Sequence, residues 1–193
     1  MPVASFDNPQ DRLADEQQLI VAAQQGDRPS FAQLVERYWD RLYRWLYHLT
    51  RDRHTAEDLV QESFLKAFAG LKKFQAGTNF AAWLFRIAHN NYANQCRASS
   101  RPREALPDNV PDSQPGPLDQ AISAEALHSL GRAIHRLPAE FRAALLLRVE
   151  EDLSFRQIAE VLELTEETAR WRVFKARQKL LSILAPRQEQ EKL

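Results

Sequence analysis

Cysteine is nearly missing from this sequence, which has one, Cys96, among its 193 residues. A lone cysteine excludes an internal disulfide and any metal site built from several thiolates, so the chain suits a reducing compartment such as the cytoplasm. The five histidines form no closely spaced pair of the HExxH type that holds zinc. We therefore predict neither a metal nor a cofactor.

Long apolar runs are missing as well. No stretch is long enough to span a membrane, and the N-terminus is acidic and polar, unlike a signal peptide. Apolar and polar residues do not alternate over any useful length, as they would in a β-strand, and no internal repeat occurs. The sequence predicts an all-α protein, and its length favours two small helical domains.

An excess of charge of either sign is also absent. The chain has 26 basic and 26 acidic residues, and a neutral total by itself argues against a nucleic-acid partner. The charges are segregated, however: Ser63 to Arg103 holds seven basic residues and no acid, whereas Glu104 to Ala169 holds five basic and thirteen acidic residues. A positive field is therefore expected only at this first segment and at the basic last helix described below.

Four helices are predicted in the first half, after a flexible tail of residues 1–13. The first, Ala14–Gln25, ends at Gly26, a usual residue at a helix C-terminus. Asp27 and Pro29 open the second, in which apolar residues recur at steps of three and four up to residue 49. The other two are predicted over residues 55–71 and 80–97. Together they form a first domain of residues 14–100.

The third helix has two different faces. One is predicted to be buried and consists of Ala56, Val60, Phe64, Ala67, Phe68 and Leu71. The other places Asp58, Gln61, Glu62 and Leu65 together at offsets of three, four and seven residues. An exposed leucine among acids indicates a partner, although a merely solvated acidic stripe is the commoner explanation of such a pattern.

The turn-rich residues 74–79, FQAGTN, separate the third helix from the fourth. The fourth helix then mixes aromatic, basic and amide side chains, namely Trp83, Arg86, His89, Asn90, Asn91, Tyr92 and Asn94. Such groups read bases and stack on them. Alternatively, Trp83 and Tyr92 are core aromatics and the asparagines lie on the surface, but that reading leaves the amide cluster unexplained.

Five prolines mark residues 101–118 as a flexible linker, because this segment cannot hold a helix. Helix is predicted to resume over residues 119–137, and Pro138 to open a further helix that runs to about Glu151. The second domain is therefore predicted over residues 119–185, and residues 186–193 form a tail.

Leu153 to Leu181 is predicted to be a helix-turn-helix. Ser154 and Gln157 form a capping box at the start, and the turn passes through Glu163. Thr165 caps the second helix, which beyond its first turn is basic and has no acid. Such a helix suits a DNA major groove. A charged surface helix in an ordinary helical domain is the alternative explanation, since short motifs have false positives.

Taken together, the segments AEDLVQESFLKAF, FQAGTNFAAWLFRIAHNNYANQCR and LPAEFRAALLLRVEEDLSFRQIAEVLELTEETARWRVFKARQKL resemble the extracytoplasmic-function (ECF) sigma factors of bacteria. The resemblance to this sigma-70 branch covers essentially the whole chain after the first dozen residues, with several motifs in the right order. It implies a cytoplasmic, non-enzymatic initiation factor. Its first domain would be sigma region 2 and its second domain sigma region 4.

The resemblance also implies partners and sites. RNA polymerase core would bind through the coiled coil of its beta-prime subunit and through its beta subunit, with the coiled coil contacting Asp58, Gln61, Glu62 and Leu65. Promoter DNA at the minus-10 element would be read as single strand, a flipped base lying in the loop, by Lys73, Phe74, Gly77, Thr78, Asn79, Trp83, Arg86, Asn90, Asn94 and Arg97. The minus-35 duplex would be read by Arg142, Arg156, Thr165, Glu167, Thr168, Arg170, Trp171, Phe174 and Lys175. An anti-sigma protein is a further candidate partner that the residues neither require nor exclude.

Two positions depart from the family pattern. Glu163 stands in the turn where glycine is frequent, at a cost of up to about 1–2 kcal/mol if the backbone there is left-handed. Trp171 stands where a small residue such as serine is common. This departure affects which minus-35 sequence is recognised more than it affects the role of the helix in recognition.

The sequence argues against two other classes of function. A helix-turn-helix regulator working without polymerase would need a sensory pocket or a dimerisation helix, neither of which the first half indicates. An enzyme acting on nucleic acid would need clustered carboxylates for metal or a nucleophile with its base, and the basic segment from Ser63 to Arg103 has no acid at all.

Overall fold

The computed structural model describes residues 9–75, 77–98 and 129–185, with side chains from residue 14 onward. Its helices are α1 (Pro9–Gln24), α2 (Arg28–Thr50), α3 (Arg53–Gly70), α4 (Phe80–Ala98), α5 (Ala139–Val149), α6 (Phe155–Leu162) and α7 (Glu166–Leu184), with a 3-10 turn over Leu71–Lys73. Residues 129–135 are helical as well. No strand occurs in the described ranges, which confirms the predicted all-α class.

Local capping residues explain where the first helices begin. Asp27 caps α2 by accepting a hydrogen bond from the Ser30 amide at 2.9 Å, and Asp52 caps α3 through the Thr55 amide at 2.7 Å. Between these helices only Arg51 and Asp52 remain, and Arg51 adopts a left-handed backbone with φ of 56°. The tight link places α2 and α3 side by side.

Helices α1 to α4 enclose the first part of the core. α2 lies at its centre and contributes Leu34, Leu42 and Leu46, each fully buried. The apolar side chains of α2 recur at helical spacing because one face of the helix meets α1, α3 and α4 in turn. Leu84 and Phe85 of α4 close this core.

The second part of the core lies between α5, α6 and α7. Ile158 and Val161 of α6 and Val173 of α7 are buried there. Ser154 and Gln157 form the predicted capping box, with bonds of 3.2 and 2.8 Å. The turn of the helix-turn-helix contains Glu163 in the left-handed region at φ of 55°, the conformation that favours glycine.

The two parts pack directly on each other, which the sequence did not predict. α2 contacts α5, and α4 contacts α6. At the first contact, the Trp45 indole Nε1 donates to the Ala143 carbonyl at 3.4 Å, and the His48 and His135 rings have centroids 4.8 Å apart. The hydrophobic core is therefore continuous across both predicted domains.

Several predicted boundaries shift. The first helix begins at Pro9, inside the predicted tail, and α5 begins at Ala139 with Pro138 as its N-cap residue. α5 ends at Val149, two residues before the predicted end. The predicted linker 101–118, residues 119–128 of the predicted helix and the tail 186–193 lie outside the described residues.

Candidate nucleic-acid and polymerase interfaces

The loop between the 3-10 turn and α4 has a defined shape. Gly77 has φ of +89°, and among the described residues no atom outside Gly77 and its chain neighbours lies within 4 Å of the position a Cβ would take there. The Thr78 amide and hydroxyl both donate to the Gln75 carbonyl, at 3.2 and 2.8 Å. Asn79 caps α4 by accepting from the Ala82 amide at 2.8 Å. Its Oδ1 therefore organises the helix start, and its amide nitrogen remains available for a ligand.

Phe74 is placed differently from the other predicted loop residues. Its side chain is only 6% exposed, with ring centroids 5.5 Å from Phe80 and 4.9 Å from Trp83. It therefore supports Trp83 from beneath. This burial speaks against direct base stacking on Phe74 and favours Trp83, which is partly exposed.

One face of α4 carries the remaining predicted minus-10 residues. Positions 83, 86, 90, 94 and 97 follow helical steps of three and four, so they share this face. The Arg97 guanidinium donates to the Asn94 side-chain carbonyl at 2.6 Å. A shallow cavity of about 390 Å³ opens along this face; it is lined by Lys66, Gly70, Lys73, Trp83, Ile87, Asn90, Asn91 and Asn94.

Lys66 and Asn91 give this cavity a fixed floor. The Lys66 ammonium lies 2.6 Å from Asn91 Oδ1 and 2.6 Å from a Glu62 carboxylate oxygen, and the Asn91 amide donates to Ser63 Oγ at 3.0 Å. Asn91 is 3% exposed, so it holds α3 against α4. The sequence does not predict this bonding role, because the contacts join residues 25 and 28 positions apart.

The four predicted polymerase-docking residues all lie exposed on α3. Leu65 is 71% exposed and borders an apolar groove of about 640 Å³ between α2 and α3. The apolar lining of the groove comes from Phe31, Ala32, Val35, Trp39, Phe64, Leu65 and Phe68, and its polar rim from Arg28, Glu36 and Gln61. The predicted acidic stripe is thus the edge of an apolar surface.

Phe68 corrects one prediction, because it is 48% exposed and lines this groove. Its ring meets Phe31 edge to face, with centroids 4.9 Å apart. Phe31, Val35 and Trp39 form an i, i+4, i+8 row on α2. That row makes the apolar arc of α2 wider than a single buried face. This wide arc is the feature of the sequence that indicates the groove.

Most predicted minus-35 residues lie on the exposed side of the helix-turn-helix. Thr165 caps α7 by accepting from the Thr168 amide at 3.2 Å. Arg170 pairs with Glu166 at 3.0 Å, and its guanidinium lies over the Phe155 ring at 5.3 Å from the centroid. These contacts hold the Arg170 guanidinium at the surface. Glu167 and Phe174 are exposed on the same helix, and Lys175 is partly exposed.

Trp171 is half exposed, and one edge of it packs on Phe141 with a centroid distance of 5.5 Å. The aromatic ring therefore covers part of the second core while its other side faces solvent. This arrangement accommodates the large side chain at a position where the family usually has a small one.

Arg142 does not match its predicted role as a phosphate contact. It is 3% exposed, and its guanidinium donates to the carbonyls of His135 and Leu137 at 2.8 and 3.1 Å. Burial, together with the nearby Arg51 charge, lowers the pKa of Arg142 to about 10. Arg142 therefore joins residues 129–137 to α5, and we leave it out of the DNA-contact set.

Arg156 lies exposed but next to the first half of the chain. It pairs with Glu160 at 3.3 Å and lines a cleft of about 510 Å³ between α4 and α6. The other wall of the cleft includes Thr78, Asn79, Trp83 and Arg86. The start of α6 thus faces the predicted minus-10 surface.

Two histidines lie near the contact between the halves. Burial, together with the neighbouring His135, Arg142 and Arg44, lowers the pKa of His48 to about 4. Burial also lowers the pKa of His89 on α4, although Glu163 opposes this effect. Both imidazoles are therefore neutral at pH 7. In the described part of the chain, no group of three His, Cys, Asp or Glu side chains is arranged to hold a metal ion.

Known proteins match this chain in both halves. A family model described as sigma-70 region 2 matches residues 34–102, and one described as sigma-70, region 4 matches residues 127–180. The ECF RNA polymerase sigma-E factor of Haemophilus influenzae is 33% identical over 187 residues, which cover 91% of this chain and 98% of that protein. The ECF sigma factor SigE of Mycolicibacterium smegmatis is 39% identical over 165 residues, which cover 83% of this chain but 64% of that protein's length.

Solved structures agree with these matches. The Bartonella quintana sigma factor RpoE, solved in complex with the anti-sigma factor NepR, superimposes with a TM-score of 0.67 at 27% identity, covering 82% of this chain and 98% of that one. The fold is also shared with CnrH, solved with the cytosolic domain of CnrY, at a TM-score of 0.65 and 24% identity. Within the described residues, no helix is both long enough and apolar enough to cross a membrane.

Proposed function

This chain belongs to the ECF RNA polymerase sigma factors, and we propose that it brings core polymerase to promoters whose minus-10 element it reads as single strand and whose minus-35 element it reads as duplex. As a sigma factor it acts through binding, and the polymerase supplies the catalysis. The observation that carries the proposal is the acid-free face of α4. There Trp83, Arg86 and Asn90 lie beside Lys66 and Lys73.

Each part of that face supplies something that single-stranded DNA requires. Unstacking a base costs a few kcal/mol, so its reader needs an aromatic surface, amides for the base edge and cations for the backbone. Trp83 provides the aromatic surface, and Asn90 and Asn94 provide amides. Lys73, Arg86 and Arg97 provide cations. We assign the flipped base to the loop at Gly77, Thr78 and Asn79, which lies at one end of this face.

We assign polymerase docking to the α3 stripe and its groove. Asp58, Gln61 and Glu62 offer charged and amide groups beside the apolar Leu65 and Phe68. That combination fits an amphipathic coiled coil such as the one on the beta-prime subunit. Substituting Asp58 and Gln61 with alanine should weaken binding to core while leaving duplex binding by α7 intact. An unchanged affinity for core would show that this assignment is wrong.

We assign minus-35 reading to the solvent face of α7, with Arg170 and Lys175 as the polar readers. An arginine forks onto guanine, and Trp171 or Phe174 covers a thymine methyl group. Thr165 and Thr168 lie at the N-terminus of the helix, where amides and hydroxyls contact phosphate. We also propose that the region 4 domain contacts the beta subunit of the polymerase. Because the Bartonella quintana sigma factor was solved with an anti-sigma factor, we propose such a protein as a further partner.

In vitro transcription tests this function directly. Purified chain plus core polymerase should yield transcripts from a genomic library, and sequencing their 5′ ends should reveal two elements at a fixed spacing. The free chain should bind duplex DNA weakly, because specificity is shared between two readers linked through the polymerase. Tight operator binding by the free chain with no effect on core polymerase would instead establish a regulator.

A further inference from the structure

Two glutamines of α1 form hydrogen bonds with the backbone of the loop between the 3-10 turn and α4, which we call the minus-10 loop. The Gln24 side-chain amide donates to the Leu71 carbonyl at 3.0 Å and to the Phe74 carbonyl at 2.7 Å. The Gln17 side-chain oxygen accepts from the Gly77 amide at 2.9 Å. Because positions 17 and 24 are seven residues apart, both side chains lie on the same face of α1. This face spans the loop from its first residue to its tip.

Among the described residues, the other hydrogen bonds of the loop are local. Around the Gly77 tip there is open space where a side chain would be, and Gly77 is free to take many backbone conformations. The Leu71 carbonyl already closes the 3-10 turn by accepting from the Phe74 amide at 3.0 Å. Gln24 donates a second hydrogen bond to the Leu71 carbonyl and links it to the Phe74 carbonyl. The glutamines therefore supply the long-range hydrogen bonds that set the position of the loop.

α1 is itself anchored, so it can serve as a rigid support. Asp15 pairs with Arg37 at 2.5 Å, and the Tyr38 hydroxyl donates to Glu16 at 2.6 Å. Ile20 is fully buried against the first core. These contacts fasten α1 to α2 without involving either glutamine. Removing a glutamine side chain should therefore leave the helix in place.

We propose that Gln17 and Gln24 are positioning residues that set the base selectivity of the minus-10 loop. The proposal rests on the proposed function, in which this loop and Trp83 read the melted strand. Gln24 fixes the Phe74 carbonyl and with it the ring that supports Trp83, and Gln17 fixes the tip. A preformed loop avoids the ordering cost of binding, and it rejects a wrong base because it cannot rearrange around it.

The test replaces each glutamine with methionine, which keeps the length and volume but removes the polar amide. Gln24→Met and Gln17→Met are compared with Gln18→Met on the same helix and with Gln25→Met in the turn that follows it, because Gln18 and Gln25 are exposed. Holoenzyme is assembled from core polymerase and each variant. Binding is measured to a short single strand carrying the mapped minus-10 sequence and to its six single-base variants, three at the flipped position and three at the neighbouring position. The readout is the ratio of matched to mismatched affinity.

For Gln24→Met we expect about a fivefold to tenfold loss of affinity for the matched strand, with a smaller loss for mismatched strands, so the ratio falls. Gln17→Met should show the same pattern more weakly, since it loses one bond. The controls should keep the wild-type ratio. A merely structural role would lower the melting temperature and the yield of holoenzyme but leave this ratio unchanged, and that result would overturn the proposal.

Asn79→Ala and Trp83→Ala separate this inference from the function on which it rests. If both collapse the ratio while Gln24→Met preserves it, the loop reads DNA but the glutamines do not position it. If neither alters the ratio, the loop is not the reader and the proposed minus-10 site is wrong. If all three variants lower the ratio, both the proposed minus-10 site and its positioning by the glutamines are supported.

Discussion

Arg41 and Glu151 form an ion pair across the contact between the two halves of the chain. One guanidinium nitrogen of Arg41 lies 2.5 Å from a carboxylate oxygen of Glu151, whose side chain is 1% exposed. Arg41 belongs to α2, and Glu151 follows α5, 110 residues later. A carboxylate so buried needs a partner, because an unpaired buried charge is costly. The pair therefore ties the packing of the halves to the presence of both groups.

Arg41→Ala should loosen this contact. We expect a loss of about 2 kcal/mol in the free energy of unfolding, measured with denaturant, because Glu151 is left buried and unpaired. That figure lies below the usual range for a buried pair because Arg41 is about one third exposed. The matched control is Arg156→Ala, whose pair with Glu160 lies in solvent and should contribute less than about 0.5 kcal/mol.

Reversing the two charges tests the same ion pair in a second way. Glu151→Arg alone should increase the radius of gyration measured by X-ray scattering, because two cations then face each other across the contact. Adding Arg41→Glu should restore compactness. If the single reversal leaves the radius unchanged, the pair does not hold the halves together.

His48 makes stability depend on pH. Its pKa is lowered to about 4 by burial and by His135, Arg142 and Arg44, so the folded chain keeps this imidazole neutral. The unfolded chain takes up the proton near pH 6.5. The stabilisation is therefore complete above about pH 6.5 and is lost as the pH falls toward 4, with a decline of about 1–2 kcal/mol by pH 5.

Urea unfolding at a series of pH values measures this effect. His48→Gln should flatten the decline between pH 6.5 and 5, because the variant has no imidazole to protonate at that position. His54→Gln, at an exposed position at the start of α3, is the control. An equally steep decline in the His48 variant would assign the pH dependence to other groups.

Glu163→Gly should stabilise the protein. Glu163 has φ of 55° at the end of α6, where a side chain costs about 1–2 kcal/mol and glycine has no such cost. The greater freedom of glycine in the unfolded chain offsets part of this gain, which leaves about 0.5–1 kcal/mol. Denaturant midpoints measure it. Glu163→Ala retains the strain, so a gain of equal size in the alanine variant would rule out this explanation.

Arg170→Ala should weaken dependence on the minus-35 element. The loss should be about 1–3 kcal/mol if Arg170 forks onto a guanine, and it should disappear on promoters with that base pair changed. Lys179→Ala removes the same charge from the opposite side of α7, nine residues along, and serves as the control. An equal loss on every promoter sequence would mean that Arg170 contacts only phosphate.

What the sequence determined by itself is the set of helices, because their signals are local. Periodic apolar residues and caps such as Asp27, Ser154 and Thr165 act within four positions of themselves, and the structure has each of these caps as predicted. The helix-turn-helix and the acidic stripe of α3 follow from the same short-range rules. The order of these elements was also enough to reveal the family.

Only the tertiary structure decided which side chains remain at the surface and how the halves meet. Phe74 and Arg142 are buried, although the family resemblance predicts that they contact DNA, and Phe68 is exposed, although the helical pattern predicts that it is buried. Neighbouring helices cover the first two side chains and leave the third open. Gln24 reaches carbonyls 47 and 50 residues away, and Arg41 reaches Glu151. Such contacts depend on how whole helices pack, and no pattern within one helix encodes its partner.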